Sequence, residues 1–380
     1  MAAKENATAI ASSAPTDEKQ SLNLCNNIIM SENSKKINQK NENTRIQFLF
    51  QQVNNPDYFN TVSLTELYDT VYPPKTQVID NLLYAGVYLF AGAPKVGKSF
   101  FMAQIGYHVS KGIPLWNYAV HKGVSLYLAL EDDYARLQKR LSKMFGMDGT
   151  DDFHFVTNAK NLSQGLESQL DTFIQEHPDT RLIIVDTLQK IREAGGEKFS
   201  YASDYEIVAK LKQFNAEHNV CILLVHHTRK QNADDCFDTI SGTNGLLGAA
   251  DGAFLMQKEK RTDNKAVLDL VGRDQQDQRL HLQFDRERCV WQLIKAETEL
   301  WKEPPDPILS LISGLVNKEA PEWIGSATEL IERLKLEMQP NVMTRRLNVG
   351  ADRLWNEYGI SYETTRSHTG RQVKFILIGK

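Results

Sequence analysis

The chain has 380 residues, 41% hydrophobic and 24% charged, enough for one large α/β domain with a real core and a smaller second one. A formal net charge of -4 excludes nucleic-acid recognition by global charge, so any such site must be local. The four cysteines, Cys25, Cys221, Cys236 and Cys289, show no metal-ligand spacing, and no apolar run approaches the roughly 18 residues of a membrane span; the expected location is cytoplasmic.

Residues 1 to about 60 are rich in Asn, Gln, Ser, Thr and Lys. Such a segment buries too little apolar surface to offset its ordering entropy, so a disordered tail is expected. A short helical pattern follows and stops at Pro73-Pro74, which lead extended chain toward an apolar run at Val87–Phe90.

That run opens the most informative stretch. Gly92, Gly97, Lys98 and Ser99 satisfy G-x-x-x-x-G-K-[ST] between a strand and a helix, the pattern of a phosphate-binding loop. The glycines allow a tight turn whose N–H groups point at phosphate oxygens, so Gly92, Ala93, Pro94, Lys95, Val96, Gly97, Lys98 and Ser99 are the expected nucleotide contacts. Lys98 would reach the terminal phosphates and Ser99 would ligate Mg²⁺.

Val124 to Leu130 form a second apolar strand, which ends abruptly in Glu131, Asp132 and Asp133. Ligands of open α/β sheets bind at the carboxyl ends of strands, so Glu131 is a candidate to orient or deprotonate a water. Asp132 and Asp133 read as a helix-capping pair, because D-D-Y-A-R-L begins a helix at once. A helix is expected over 166–178 and a buried strand over Leu182–Val185, closed by Asp186. Apolar residues followed by Asp are the Walker B arrangement, with the carboxylate holding Mg²⁺. A polar loop through about residue 203 and a helix over 204–218 lead to a strand at Val220–Val225 that ends in His226 and His227. Without ligands at suitable spacing, the paired histidines read as strand-end phosphate sensors and not as a metal site. Arg229 and Lys230 then open a polar loop to residue 244, which suits either a nucleic-acid backbone or plain solvation.

Residues 253–256 predict another strand, and alternating residues from Ala266 to Phe284 predict a hairpin. Arg273 lies in its connection, as a surface arginine or a functional one. A proline-rich linker at 301–307 closes an ATPase-sized domain of residues 61–300. In the remaining module, 308–380, helical patterns at 307–318, 326–337 and 341–356 precede a final VKFILI strand, which suggests a winged helix. Its last 40 residues are locally basic, which suits a DNA-binding wing or a protein-docking module; Arg366 and Arg371 are the candidate DNA contacts.

The segments GAPKVGKS, LALEDD, LIIVDTL, LLVHHTRK, ISGTNGLLGAAD and VGRD, in this order, resemble the RecA-like ATPase domain of plasmid RepA-type hexameric helicases and, more distantly, DnaB-type replicative helicases. The resemblance implies an α/β RecA-like core with a mostly parallel central sheet, acting on Mg-ATP. It implies that Glu131 is the catalytic glutamate, Asp186 the Walker B acid, His227 the sensor in preference to His226, and Arg273 a finger presented to a neighbouring subunit. It also implies DNA as partner, in the channel of a homo-oligomer of hexameric type. A recombination mediator, a helicase loader and an ATP-switched DNA-binding regulator keep the same nucleotide site and remain alternatives.

Overall fold

A computed structural model of the chain describes residues 59, 61–192, 201–228, 236–240, 244–258, 260, 262–297, 303–367 and 370–378. Except for Phe59, the tail expected at 1–60 lies outside the described residues. The chain divides into two compact units after Thr70. In the first, helix α1 (Leu64–Asp69) starts at Ser63, whose hydroxyl caps Glu66 N while the Glu66 carboxylate returns to Ser63 N, and none of its residues is buried.

The second unit opens with a small antiparallel pair, β1 (Gln77–Ile79) and β2 (Leu83–Tyr84). It continues through β3 (Gly86–Gly92), α2 (Lys98–Lys111), β4 (Val124–Ala129), α3 (Tyr134–Phe145), β5 (Phe153–Val156), α4 (Leu166–Glu176) and β6 (Thr180–Asp186). The single turn α5 (Leu188–Ile191), α6 (Tyr201–His218), β7 (Cys221–His227), α7 (Asn244–Ala249) and β8 (Gly252–Gln257) come next, then an antiparallel run of β9 (Lys265–Gly272), β10 (Gln278–Asp285) and β11 (Val290–Ala296).

These strands form one nine-stranded sheet in the order β11-β10-β9-β8-β3-β7-β6-β4-β5. From β8 to β5 every pairing is parallel; from β8 to β11 every pairing is antiparallel. The inner parallel strands are apolar over most of their length because both faces are covered. Tyr88, Phe90, Tyr127, Ile184 and Val225 enter the core on one face, and Val87, Leu89, Leu128, Val185 and Leu224 that on the other. This period of two makes each strand serve two cores and leaves polar chemistry only at its ends.

After the linker come α8 (Pro307–Leu315), β12 (Glu322–Ser326), α9 (Ala327–Leu334), α10 (Pro340–Val349), α11 (Ala351–Tyr358), β13 (Ile360–Ser367) and β14 (Gly370–Leu377). They share a separate core around Ile312, Leu330, Leu347 and Phe375. Two expectations are corrected here. The helix read over 341–356 is two helices, broken at Gly350, where the backbone sits so close to α8 that a β-carbon would lie 3.3 Å from the Leu309 methyls. The single terminal strand is one of three, in an antiparallel sheet ordered β12-β14-β13. Among the described residues no helix is long and apolar enough to cross a membrane.

Candidate nucleotide site

The parallel register brings the carboxyl ends of β3, β4, β6, β7 and β8 to one edge of the sheet. Gly92 pairs with both His227 and Met256, and Ala129 pairs with Asp186. The loop from Gly92 to Lys98 turns back over this edge, with Lys95 (φ 66) and Gly97 (φ 109) in the left-handed region. Gly92 is required for a different reason: a β-carbon there would meet the Met256 carbonyl at 2.7 Å. Ala93, Pro94 and Lys95 are exposed at the rim and Val96 anchors the loop in the core.

Lys98 begins α2 with its side chain buried. Its ammonium donates to Gly92 O (2.7 Å) and Ala93 O (3.1 Å) and lies 3.2 Å from His227 Nδ1. An ammonium only donates, so this contact uses the Nδ1 lone pair, in competition with the hydrogen bond of the ring to the Gly92 backbone. Burial lowers the Lys98 pKa to about 8, against the opposing pull of the Asp186 and Glu131 carboxylates. His227 is lowered too, by burial first and by the Lys98 charge second.

Asp186, at the end of β6, is buried. Desolvation raises its pKa, while hydrogen bonds from the Ser99 and Tyr127 hydroxyls oppose that shift. The Tyr127 hydroxyl donates to Asp186 Oδ2 at 2.8 Å from the neighbouring strand β4. Glu131 is exposed in the turn after β4 and accepts from the Thr187 hydroxyl at 3.2 Å. The two aspartates beside it divide their work differently from expectation. Asp133 is the N-cap of α3 and accepts from Arg136 N, whereas Asp132 turns inward and pairs with Arg140 at 2.7 Å. A cap needs its carboxylate beside the first helical N–H groups, which Asp133 alone offers.

Lys98, Ser99, Glu131, Asp186 and His227 therefore converge. Arg273 does not join them. Gly272 pairs with Gly252 at the amino end of β8, whereas the loop lies at its carboxyl end beside Met256, about 13 Å of strand away. There Arg273 Nη2 donates to Gly248 O at 3.1 Å and its backbone N donates to Asp251 O at 2.9 Å. The side chain is exposed. Of the candidate DNA contacts, Arg229 and Lys230 lie outside the described residues. Within the expected loop to residue 244, the described residues form a 3-10 turn, Cys236–Thr239, and Ile240 bridges Thr228. Arg366 pairs in register with Arg371 across the β13–β14 hairpin, and Arg371 is exposed.

Two contributors escaped the sequence reading. Tyr127 sits inside an apolar strand, and its only signal was a hydroxyl two residues before the strand end. Trp291, on β11, is wholly buried against the loop, its indole N–H donating to Gly97 O at 3.3 Å.

Residues 56–233 match a family described as an AAA domain. The matched segment is AAA-like. It holds the phosphate loop, Glu131, Asp186 and His227, and covers somewhat less than half of the chain. No curated protein matches the chain. Among solved structures, a DnaB-like replicative helicase, described with its primase interactions, is similar at 16% identity and a TM-score of 0.48, over 73% of this chain and 79% of that one. A KaiC-like protein from Pyrococcus horikoshii OT3 is similar at 14% identity and a TM-score of 0.43, over 59% and 100%. The RadB recombinase is similar at 13% identity and a TM-score of 0.42, over 56% and 93%.

Proposed function

We propose that this chain is a Mg-ATP-hydrolysing, DNA-translocating ring ATPase, a replicative helicase of a plasmid, phage or integrated mobile element. The observation that carries the reading is the convergence of Lys98, Ser99, Asp186, Glu131 and His227 on one sheet edge, each delivered by a different strand end or by the loop. The donor set fits magnesium. The Ser99 hydroxyl lies close enough to Asp186 to favour its charged form, and among the described residues no group of three or more His, Cys, Asp or Glu side chains is placed to hold a metal ion. Magnesium is usually held by one or two protein oxygens plus phosphate and water, so a hydroxyl and one carboxylate suffice. When bound, the ion would neutralise charge on the terminal phosphates.

The protein's own groups supply the rest. Lys98 gives up its His227 contact to bind the terminal phosphates. Glu131 orients the attacking water and takes its proton at Oε, with Thr187 fixing the carboxylate. Arg273 is too far from its own loop, so in this reading it serves the site of the next subunit, and hydrolysis depends on assembly. The segments after Asp186 and His227, with Arg229 and Lys230, would face DNA in the channel. Arg366 and Arg371 would contact DNA from a winged-helix-like module.

The test is strand displacement on forked DNA beside ATP turnover. Unwinding by the wild-type chain that is lost in Lys98→Ala supports the helicase. Turnover without unwinding on any fork leaves a DNA-dependent ATPase, such as a mediator or loader. The separate core of residues 307–377 favours a second reading, an ATP-switched DNA-binding regulator. It requires sequence-specific duplex binding that disappears when residues 305–380 are deleted.

A further inference from the structure

We propose that Trp291 is a positioning residue of the nucleotide loop, holding the Gly97–Lys98 peptide in the orientation that phosphate needs. The inference rests on reading residues 92–99 as the phosphate site. Trp291 is 1% exposed, as any core tryptophan is, but two observations set it apart from core filling. Its indole N–H is aimed at a loop carbonyl, Gly97 O, which also accepts the first helical bond from Phe101 N at 3.2 Å. The same edge of its ring lies hard against Gly97, so that a β-carbon there would come within 2.8 Å of Cζ2 and 3.2 Å of Nε1.

The geometry has a direct consequence for the loop. In a trans peptide the C=O and the following N–H point in opposite directions. Tying Gly97 O to the indole and to the helix therefore turns Lys98 N–H the other way, into the concave side of the loop. A left-handed residue such as Gly97, at φ 109, has several competing conformations, and an empty loop has no phosphate to select among them. Trp291 makes that selection before the ligand arrives, which lowers the ordering cost of binding.

The tryptophan is itself held from three sides. Its backbone N donates to Gln104 Oε1 (2.8 Å), and its carbonyl accepts from Gln104 Nε2 (2.9 Å) and from the Trp116 indole (2.7 Å). Gln104 lies on α2, so the helix that starts at the loop grips β11, and β11 in turn seats the loop. The Phe284 ring at 4.9 Å and the Lys258 ammonium at 5.2 Å close the remaining faces.

The experiment compares Mg-ADP affinity by calorimetry in the wild type, Trp291→Phe and Leu170→Ala, the last a core change on the opposite face of the sheet. Trp291→Phe keeps a ring and removes the N–H. Loss of one such hydrogen bond is expected to weaken Mg-ADP roughly 3- to 10-fold, while Leu170→Ala lowers the melting temperature and leaves the affinity within about twofold. Mg-ADP should also shift tryptophan emission in the wild type and in Trp355→Phe, a change at an exposed tryptophan of α11, but not in Trp291→Phe. If Trp291→Phe does not fold, the emission shift in the first two decides. Equal affinity in Trp291→Phe and wild type, equal weakening in Leu170→Ala, or no emission shift overturns the assignment. A wild-type chain that binds no Mg-ADP overturns the phosphate reading itself.

Discussion

Lys98 is the residue on which the site's electrostatics turn. Its ammonium is buried among two carbonyls and an imidazole, and its pKa is lowered to about 8. A polyphosphate beside it would raise that value, so binding takes up a proton once the free protein has lost one. Nucleotide affinity should therefore be flat below about pH 8 and fall as pH rises above it, by up to about tenfold per unit. Calorimetric titration from about pH 7 to about pH 9.5 checks this, and Lys98→Arg, which keeps its charge throughout, should abolish the slope. Tyr127 acts on the partner carboxylate. Removing its hydroxyl in Tyr127→Phe takes away a donor that holds the Asp186 pKa down, so Asp186 should rise further and bind cations less well. The Mg²⁺ concentration for half-maximal turnover should increase about tenfold, the scale of a hydrogen bond to a charged group. An unchanged requirement would reduce the hydroxyl to packing.

At this scale the sequence was readable where spacing carries chemistry and silent where only depth does. The loop, Asp186 and the strand-end histidines stand at positions that a strand-loop-helix pattern dictates. Tyr127 and Trp291 are aromatic residues inside strands, where burial accounts for them without any role. Their hydroxyl and indole N–H acquire partners only once strands distant in sequence are side by side.

Elements show the same division. The inner parallel strands were legible because a strand covered on both faces has to be largely apolar, whereas the short edge strand β5, with His154 inside it and only Phe153 buried, was not. The C-terminal sheet was not: β12 is five residues long and half-exposed, and β13 carries polar residues that look like loop. The α3 start separates two acids that local sequence cannot tell apart. Asp133 caps exposed N–H groups, so Asp133→Ala should cost about 1 kcal/mol of stability. Asp132 pairs with Arg140, with side-chain exposures of 10% and 16%. Asp132→Ala leaves that guanidinium unpaired and should cost about 2–3 kcal/mol. Denaturant midpoints of the two variants measure the difference; the reverse order would mean the cap matters more than the pair.

For the molecule as a whole, the decisive fact is that Arg273 and Lys98 stand at opposite ends of the sheet. If Arg273 serves a neighbour's site as proposed, the two functions can be separated. Lys98→Ala and Arg273→Ala should each be inactive alone, while Arg273→Ala should still bind nucleotide. Mixed in equal amounts, the two should regain a fraction of wild-type turnover, because some interfaces then pair an intact loop with an intact arginine. A mixture as inactive as its components would remove Arg273 from the reaction.

The ladder order also changes where the catalytic body ends. Three strands separate β11 from β3 in the sheet, yet Trp291 touches Gly97, so the antiparallel ribbon curls back over α2 like a cuff. The AAA match stops at residue 233, well before that cuff begins. A fragment spanning 71–235 should therefore bind Mg-ADP poorly or aggregate through the uncovered edge of β3, whereas 71–300 should bind as the full chain does. The shortest piece that works is set by the fold's closing strand and not by its last recognisable motif.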